Sequence, residues 1–295
     1  MVHSSKVGGC DVISSQMFTL SVYQQKANKF LVSIYGDREA SAIIKLWFGS
    51  RLDMSPIDLI IRREEEVTFP TFEADLAQLK ASTPVQLVLG EAFFFDRAFV
   101  VNEHTLIPRP ETEELVAGIL ERFSNDELKV IDVGTGSGCI AISLQLARPN
   151  WSITGVDIHQ QTIDAAKANA AKFGANVDFR LTDVLEEALP EFDLLVSNPP
   201  YIPVSEAQAM DRNVVEYEPD RALFVPNEDA LLFYRRLLEL ATAEKKDSPL
   251  YVAFEIHEDF GEEMIELCAS FGFKEVNLLQ DLQRKDRMIF AQYGD

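Results

Sequence analysis

The run Asn198-Pro199-Pro200-Tyr201, directly behind the apolar stretch Leu194-Leu195-Val196-Ser197, concentrates hydrogen-bond acceptors at one corner of the chain. Two consecutive prolines fix the backbone there and supply no N–H. What the corner offers is the Asn198 side-chain oxygen and the Pro199 carbonyl. A planar –NH2 group, whether a carboxamide or an amino group on a base, has two hydrogens to donate to such a pair. Its nitrogen is a poor nucleophile while the lone pair is delocalised. Holding both hydrogens out of plane localises the pair and aims it at an electrophilic methyl group, with a near-attack distance of ~3–3.5 Å. The Tyr201 ring is placed to stack on the planar group. The plainer alternative is a turn that only ends a strand.

A second group lies upstream. Asp132-Val133-Gly134-Thr135-Gly136-Ser137-Gly138 follows an apolar strand pattern and opens an apolar helix pattern, Ile140 to Leu146. Glycines at such a turn let the backbone bend tightly and let a ligand approach the main chain, so a nucleotide or nucleoside site is the natural reading, against a bare strand-to-helix turn. The spacing is Gly-x-Gly-x-Gly rather than the Gly-x-Gly-x-x-Gly of dinucleotide sites. An oxidoreductase using NAD would also leave the proline corner without a task. Asp157, at the end of the next strand pattern, suits two ribose hydroxyls as a charge-assisted acceptor. Asp183 repeats the placement after the third strand, where its carboxylate suits the exocyclic amine of an adenine and Val184 the ring. Each aspartate taken singly is as good a helix N-cap. Their succession at strand ends points to a bound adenosine moiety, because open α/β sheets take ligands at the carboxyl ends of their strands.

Alternating elements must position these residues. Beyond Pro110 the periodicity predicts helix 111–123, strand 129–133, helix 138–148, strand 152–156, helix 160–173, and strands 177–181 and 193–197. There follow an irregular segment 198–227, helix 228–243, strand 250–255, helix 260–271 and strands 274–279 and 287–292. That alternation implies an α/β domain whose parallel sheet has helices on both faces. A structureless segment of ~30 residues is uncommon in a compact domain and is usually functional or disordered. Residues 15–83 instead show apolar clusters at helical spacing, punctuated at Gly36-Asp37, Gly49-Ser50 and Ser55-Pro56, and predict a small helical bundle. Between the two regions, Phe93-Phe94-Phe95, a turn at Asp96-Arg97 and Val100-Val101 predict a β-hairpin linker.

The chain has 295 residues, with 27 Lys and Arg against 48 Asp and Glu, a formal net charge of −21. Residues 1–97 are close to balanced, 10 basic to 12 acidic, so residues 98–295 carry −19. A surface this negative repels phosphate backbones, and tight nonspecific nucleic-acid binding is not expected. Cys10, Cys139 and Cys268 are an odd, widely spaced set that suits neither a disulfide framework nor a zinc site, which points to a reducing, cytoplasmic compartment. Cys139 opens a helix, where a thiol pKa can fall, but a small packed residue is the commoner outcome. His3, His104, His159 and His257 form no metal spacing, and no metal is expected. The opening ten residues look like a loose tail without a targeting signal, and no run reaches the ~20 apolar residues of a membrane span.

Taken together, these pieces resemble the HemK/PrmC family of protein-glutamine methyltransferases, which act on peptide-chain release factors. The resemblance runs from about Pro84 to Arg287. It is carried by Thr105-Leu106-Ile107-Pro108-Arg109-Pro110-Glu111-Thr112-Glu113, the loop 134–138, Val156-Asp157, Asp183, Ser197-Asn198-Pro199-Pro200-Tyr201, Glu216-Tyr217-Glu218-Pro219 and Phe254-Glu255-Ile256. Asn-Pro-Pro-Tyr alone is shared with methyltransferases of adenine amines, whereas the Ile-Pro-Arg-Pro-Glu-Thr-Glu stretch belongs to this family. The resemblance implies a Rossmann-like class I methyltransferase domain over 108–295, with a seven-stranded, mostly parallel sheet whose last strand is antiparallel. A release-factor recognition domain over 1–83 and a hairpin linker over 84–107 precede it.

By the same resemblance the cofactor is S-adenosylmethionine, held by Gly134, Thr135, Gly136, Ser137, Gly138, Asp157, Asp183, Val184 and Asn198. The substrate is the glutamine of a Gly-Gly-Gln loop, gripped by Asn198 and Pro199 with Pro200 and Tyr201 beside it. Phe94 is placed on the wall of that pocket, against the plainer reading of a hairpin core aromatic. The partner is a release factor, with no membrane, and a monomer is expected. The chain departs from the family pattern at Leu87, where a tyrosine is usual, and at Asp96 and His257, where glycines are. An adenine methyltransferase on DNA or RNA, and a non-catalytic adenosine-binding module, are the competing expectations.

Overall fold

The computed structural model describes residues 17–124, 127–243 and 249–294, so the N-terminal tail and Cys10 lie outside the described residues. The chain divides into two compact units, Met1–Leu89 and Gly90–Asp295.

The first unit is helical. A two-residue strand β1 (Phe18–Thr19) leads into α1 (Leu20–Leu52), followed by α2 (Asp58–Ile61), β2 (Glu66–Val67), α3 (Phe72–Lys80) and α4 (Val85–Leu89), with β1 pairing antiparallel to β2. Gly36 breaks α1 with φ 75° and ψ 170°, a conformation favourable only to glycine. The expected break at Gly49-Ser50 does not occur. The helix continues to Leu52, and Asp53 in the left-handed region closes it by donating its N–H to the Gly49 carbonyl. Trp47 and Phe72 stack at 5.1 Å between centroids, with Phe48 and Phe69 packed edge-on around them. Asp75 satisfies the buried Trp47 indole at 2.8 Å and pairs with Arg51 at 2.9 Å.

The second unit opens with a hairpin, β3 (Glu91–Phe94) and β4 (Arg97–Val100). It continues through α5 (Pro110–Arg122), β5 (Lys129–Val133), α6 (Cys139–Ala147), β6 (Ser152–Asp157), α7 (Gln160–Phe173), β7 (Val177–Leu181) and β8 (Leu194–Ser197). The irregular segment holds β9 (Ile202–Pro203), a 3-10 turn (Val204–Ala209), α8 (Arg212–Val215), α9 (Asp220–Leu223) and β10 (Phe224–Val225). Then come α10 (Leu232–Thr242), β11 (Leu250–Glu255), α11 (Gly261–Ser270), β12 (Lys274–Gln280) and β13 (Asp286–Tyr293). Seven strands form one sheet in the order β12-β13-β11-β8-β5-β6-β7, and β13 alone runs antiparallel to its neighbours. Each face of the sheet carries its own apolar core, one around Ile119, Ile140 and Ile163, the other around Leu195, Leu237 and Met264.

The expected linker 84–107 is divided between the two units. Val85 and Val88 are buried in the helical core, and Arg51 donates to the Val88 carbonyl at 2.8 Å, so the boundary falls after Leu89 and not at 83. The hairpin belongs to the second unit, since Phe94 and Phe99 enter the core of one sheet face. Asn169, on α7, accepts the Val100 N–H at 2.8 Å and donates to the Val100 carbonyl at 3.0 Å, completing the edge of β4 as a strand would. No helix among the described residues is long and apolar enough to cross a membrane.

Candidate active site

The chain runs outward from β5 to β7 and then returns to β8 on the other side of β5, so the sheet reverses direction between β5 and β8. Ligands of open α/β sheets bind outside the carboxyl ends of strands at such a point. Val133 and Ser197 are register partners across it, which sets Gly134 and Asn198 side by side at the rim. The Ser197 hydroxyl donates to the Val133 carbonyl at 2.7 Å and fastens the two strand ends.

A cavity of about 340 Å³ opens there. Of the residues expected at the site, Gly134, Gly136, Asp157, Asp183, Val184, Asn198, Pro199 and Pro200 line it. Gly134 and Gly136 both have positive φ, and a Cβ built on Gly134 would meet nothing within 4 Å. The glycines therefore leave open space for a ligand against the main chain. Gly134 and Thr135 donate their N–H groups to the Val156 carbonyl, Gly138 donates to the Thr135 carbonyl, and Gly136 donates to Asp157 Oδ2 at 3.2 Å. With those donors already committed, the loop does not form an anion-binding nest, which argues against a pyrophosphate and for a nucleoside.

Asp157 is held from two sides, Oδ2 by Gly136 and Oδ1 by the His159 N–H at 3.1 Å. Burial pushes its carboxyl up, and these backbone N–H groups oppose that shift. A carboxylate has about four lone-pair directions, so acceptors remain for ribose hydroxyls. Asp183 caps no helix, since only a turn separates β7 from β8. Its Oδ1 accepts the Leu185 N–H at 3.0 Å within that turn, and the residue lines the cavity. The apolar wall is completed by Leu106, Ile158 and Phe233, which the motif reading did not single out. Ile158 gave a usable signal, an apolar residue directly after the strand-end acid. The set of hydroxyl acceptors, apolar walls and open glycine backbone fits S-adenosylmethionine.

Several expected positions prove to be supports. Thr135, Ser137 and Gly138 do not line the cavity: the Thr135 hydroxyl donates to Asp132 Oδ2 at 2.6 Å, the Ser137 carbonyl accepts Asn169 Nδ2 at 2.9 Å, and Gly138 starts α6 against Ile142 and Phe179. Asp132 is wholly buried beneath the loop, and desolvation pushes its carboxyl up to about 7. Phe94 is a correction. It is 0% exposed and packs edge-on against Phe99, a hairpin core aromatic with no face toward the cavity. Tyr201 is also absent from the cavity wall. Its hydroxyl donates to Glu255 Oε1 at 3.1 Å, and its ring lies edge-on to His257 at 6.0 Å. Cys139 is a packed residue whose thiol burial pushes up to about 12.

The motifs without an assigned chemistry converge on the same corner. Glu218, 5% exposed, accepts the Ile107 N–H at 3.1 Å and pairs with Arg109, tying the irregular segment to the stretch ahead of α5. Thr112 at the start of α5 lies between Asn198 and Glu255, with Asn198 Nδ2 donating to its hydroxyl oxygen at 3.2 Å. Sequence separation concealed these contacts.

The fold and site define a Rossmann-like, S-adenosylmethionine-dependent methyltransferase. The family model described as methyltransferase small domain matches residues 113–217. Among solved structures, the hMettl16 catalytic domain bound to the MAT2A 3'UTR hairpin 6 shares the fold at a TM-score of 0.52 and 15% identity, over 78% of this chain and 84% of that one. The chain is 39% identical over 281 residues to a release factor glutamine methyltransferase of Flavobacterium psychrophilum, covering 92% of this chain and 98% of that relative. It is 43% identical over 232 residues to one of Enterococcus faecalis, covering 78% and 82%. The chain belongs to the release factor glutamine methyltransferase family.

Proposed function

We propose that this protein methylates the side-chain amide nitrogen of the glutamine in the Gly-Gly-Gln motif of class-1 peptide-chain release factors, and so modulates translation termination. The observation that carries the reading is the joint lining of one cavity by Asp157 and the glycine loop on one side and by Asn198 and Pro199 on the other. S-adenosylmethionine bound there supplies an electrophilic methyl group on a sulfonium. Gly134, Gly136, Asp157, Asp183 and Val184 hold its nucleoside portion. Asn198 Oδ1 and the Pro199 carbonyl accept the two hydrogens of the substrate amide and turn its nitrogen lone pair toward the methyl carbon. Pro199 and Pro200 keep competing N–H donors out of the corner. The buried acid Glu255 already accepts from Thr112 and Tyr201, no side chain is assigned as a base, and the product proton leaves to solvent.

The helical unit is assigned to release-factor recognition, and the protein is assigned to the cytoplasm as a monomer. Adenine in nucleic acid is the second planar-amine substrate the corner would accept, but the −19 carried by residues 98–295 opposes approach of a phosphate backbone. Incubation with methyl-labelled S-adenosylmethionine, offering release factor and adenine-containing DNA and RNA oligonucleotides in parallel, tests the choice. Label is expected in the release factor alone. Label in an oligonucleotide and none in the protein would overturn it.

A further inference from the structure

Asn198 carries both a donor and an acceptor on one planar amide, and only its oxygen facing the cavity serves a substrate –NH2. The surrounding hydrogen bonds decide which end faces inward. Glu255, 1% exposed at the end of β11, receives the Thr112 hydroxyl at 2.6 Å on Oε2 and the Tyr201 hydroxyl at 3.1 Å on Oε1. Burial pushes the Glu255 carboxyl up, and the Thr112 hydroxyl, the positive charge of Arg287 and the Tyr201 hydroxyl oppose that shift. The Arg287 guanidinium also donates to the neighbouring Ile256 carbonyl at 3.3 Å. An ionised carboxylate only accepts, and a threonine hydroxyl has a single hydrogen. Once Thr112 gives that hydrogen to Glu255, its oxygen can only accept toward Asn198, at 3.2 Å from Nδ2. The Asn198 nitrogen must then point at Thr112, which leaves Oδ1 for the cavity.

We propose that Thr112 and Glu255 are positioning residues for methyl transfer: through Thr112, the Glu255 carboxylate fixes the orientation of the Asn198 amide and keeps its oxygen toward the substrate. The same carboxylate holds Tyr201, so both polar ends of the Asn-Pro-Pro-Tyr corner are set by one buried acid. The relay draws together three stretches distant in sequence: the start of α5, the end of β8 and the end of β11. This inference rests on the reading of Asn198 as acceptor of the substrate amide.

The test compares wild type, Thr112→Val, Thr112→Ser and Glu255→Gln for kcat and KM on release factor and for the Kd of S-adenosylhomocysteine. It also follows the Asn198 side-chain amide by 15N NMR in the ligand-free proteins, with the signal assigned by its loss in Asn198→Asp. Thr112→Val is expected to lower kcat about 10–100-fold, the loss of one hydrogen bond to an essential group, with S-adenosylhomocysteine affinity retained. Thr112→Ser is expected to restore kcat. Glu255→Gln removes the charge and one of the two acceptor oxygens that hold Thr112 and Tyr201, and is expected to lower kcat with S-adenosylhomocysteine affinity retained. In the wild type the Asn198 amide protons should exchange slowly, and both Thr112→Val and Glu255→Gln should shift the signal. Unchanged kcat in Thr112→Val, failure of serine to restore it, or a solvent-like Asn198 amide in the wild type would each overturn the relay. A wild type inactive on release factor would defeat the functional reading instead, and the NMR exchange alone would then decide the relay.

Discussion

Asp132 is the buried acid on which the glycine loop is built. One oxygen accepts the Thr135 hydroxyl at 2.6 Å and the Ala141 N–H at 3.2 Å, while Oδ1 is buried without a protein partner. Desolvation outweighs both hydrogen bonds and raises the carboxyl from 3.8 to about 7. Because the folded value lies above the unfolded one, the folded state binds the extra proton. The associated stability is complete below about pH 4 and is lost as pH rises through 7, at up to about 1.4 kcal/mol per pH unit. Asp132→Asn keeps an acceptor for Thr135 and Ala141 and cannot ionise. Its urea unfolding free energy should therefore fall less between pH 5 and pH 8 than that of the wild type. Parallel pH curves for the two proteins would show that Asp132 is ionised in the fold throughout. At this scale the sequence exposed residue types and spacing well, as Asp157, Asp183 and Asn198 show. It did not expose facing. Phe94 and Tyr201 carry side chains suited to a pocket wall, and burial in one case and a hydrogen bond to Glu255 in the other turn them elsewhere.

Among the elements, those with strong local periodicity were legible almost to the residue. Helix α7 and strand β7 have the expected limits, because Gly174 closes the helix in the left-handed conformation and β-branched and aromatic residues resume after it. The segment 198–227 has no period to detect. Its pieces are two to six residues long and are tied down by tertiary bonds such as Glu218 to Ile107 and Arg109. The hairpin was legible as a hairpin but not as part of the second unit, since its anchor is Asn169, 69 residues downstream of Val100. One glycine in β6 has a packing purpose that no motif revealed. A Cβ on Gly155 would lie 2.6 Å from the Phe179 ring and 2.8 Å from Thr135 Oγ1. Gly155→Ala must push the ring of β7 or the hydroxyl that holds Asp132, and overpacking of this kind costs about 1–3 kcal/mol. Chemical denaturation of Gly155→Ala should show that loss together with weaker S-adenosylhomocysteine binding. A variant as stable as wild type would mean the β6–β7 contact yields freely.

For the whole molecule, the fold class, the sheet and its antiparallel last strand followed from alternation and from the family resemblance, whereas the wiring of the corner did not. Thr112 and Glu255 are 143 residues apart, and only the return of the chain to β8 and then β11 brings both beside Asn198. The strongly acidic character of residues 98–295 opposes the approach of a phosphate backbone, and the switch point supplies a cavity lined by both the glycine loop with Asp157 and the Asn198-Pro199 corner. The central claim is that Asn198 presents a glutamine amide for methylation. Tandem mass spectrometry of release factor incubated with S-adenosylmethionine and either wild type or Asn198→Ala tests it most directly. The expected result is a single added methyl on the side-chain amide of the Gly-Gly-Gln glutamine with the wild type, and almost none with Asn198→Ala although that variant still binds S-adenosylhomocysteine. A methyl placed on another residue, or equal methylation by the variant, would contradict the account.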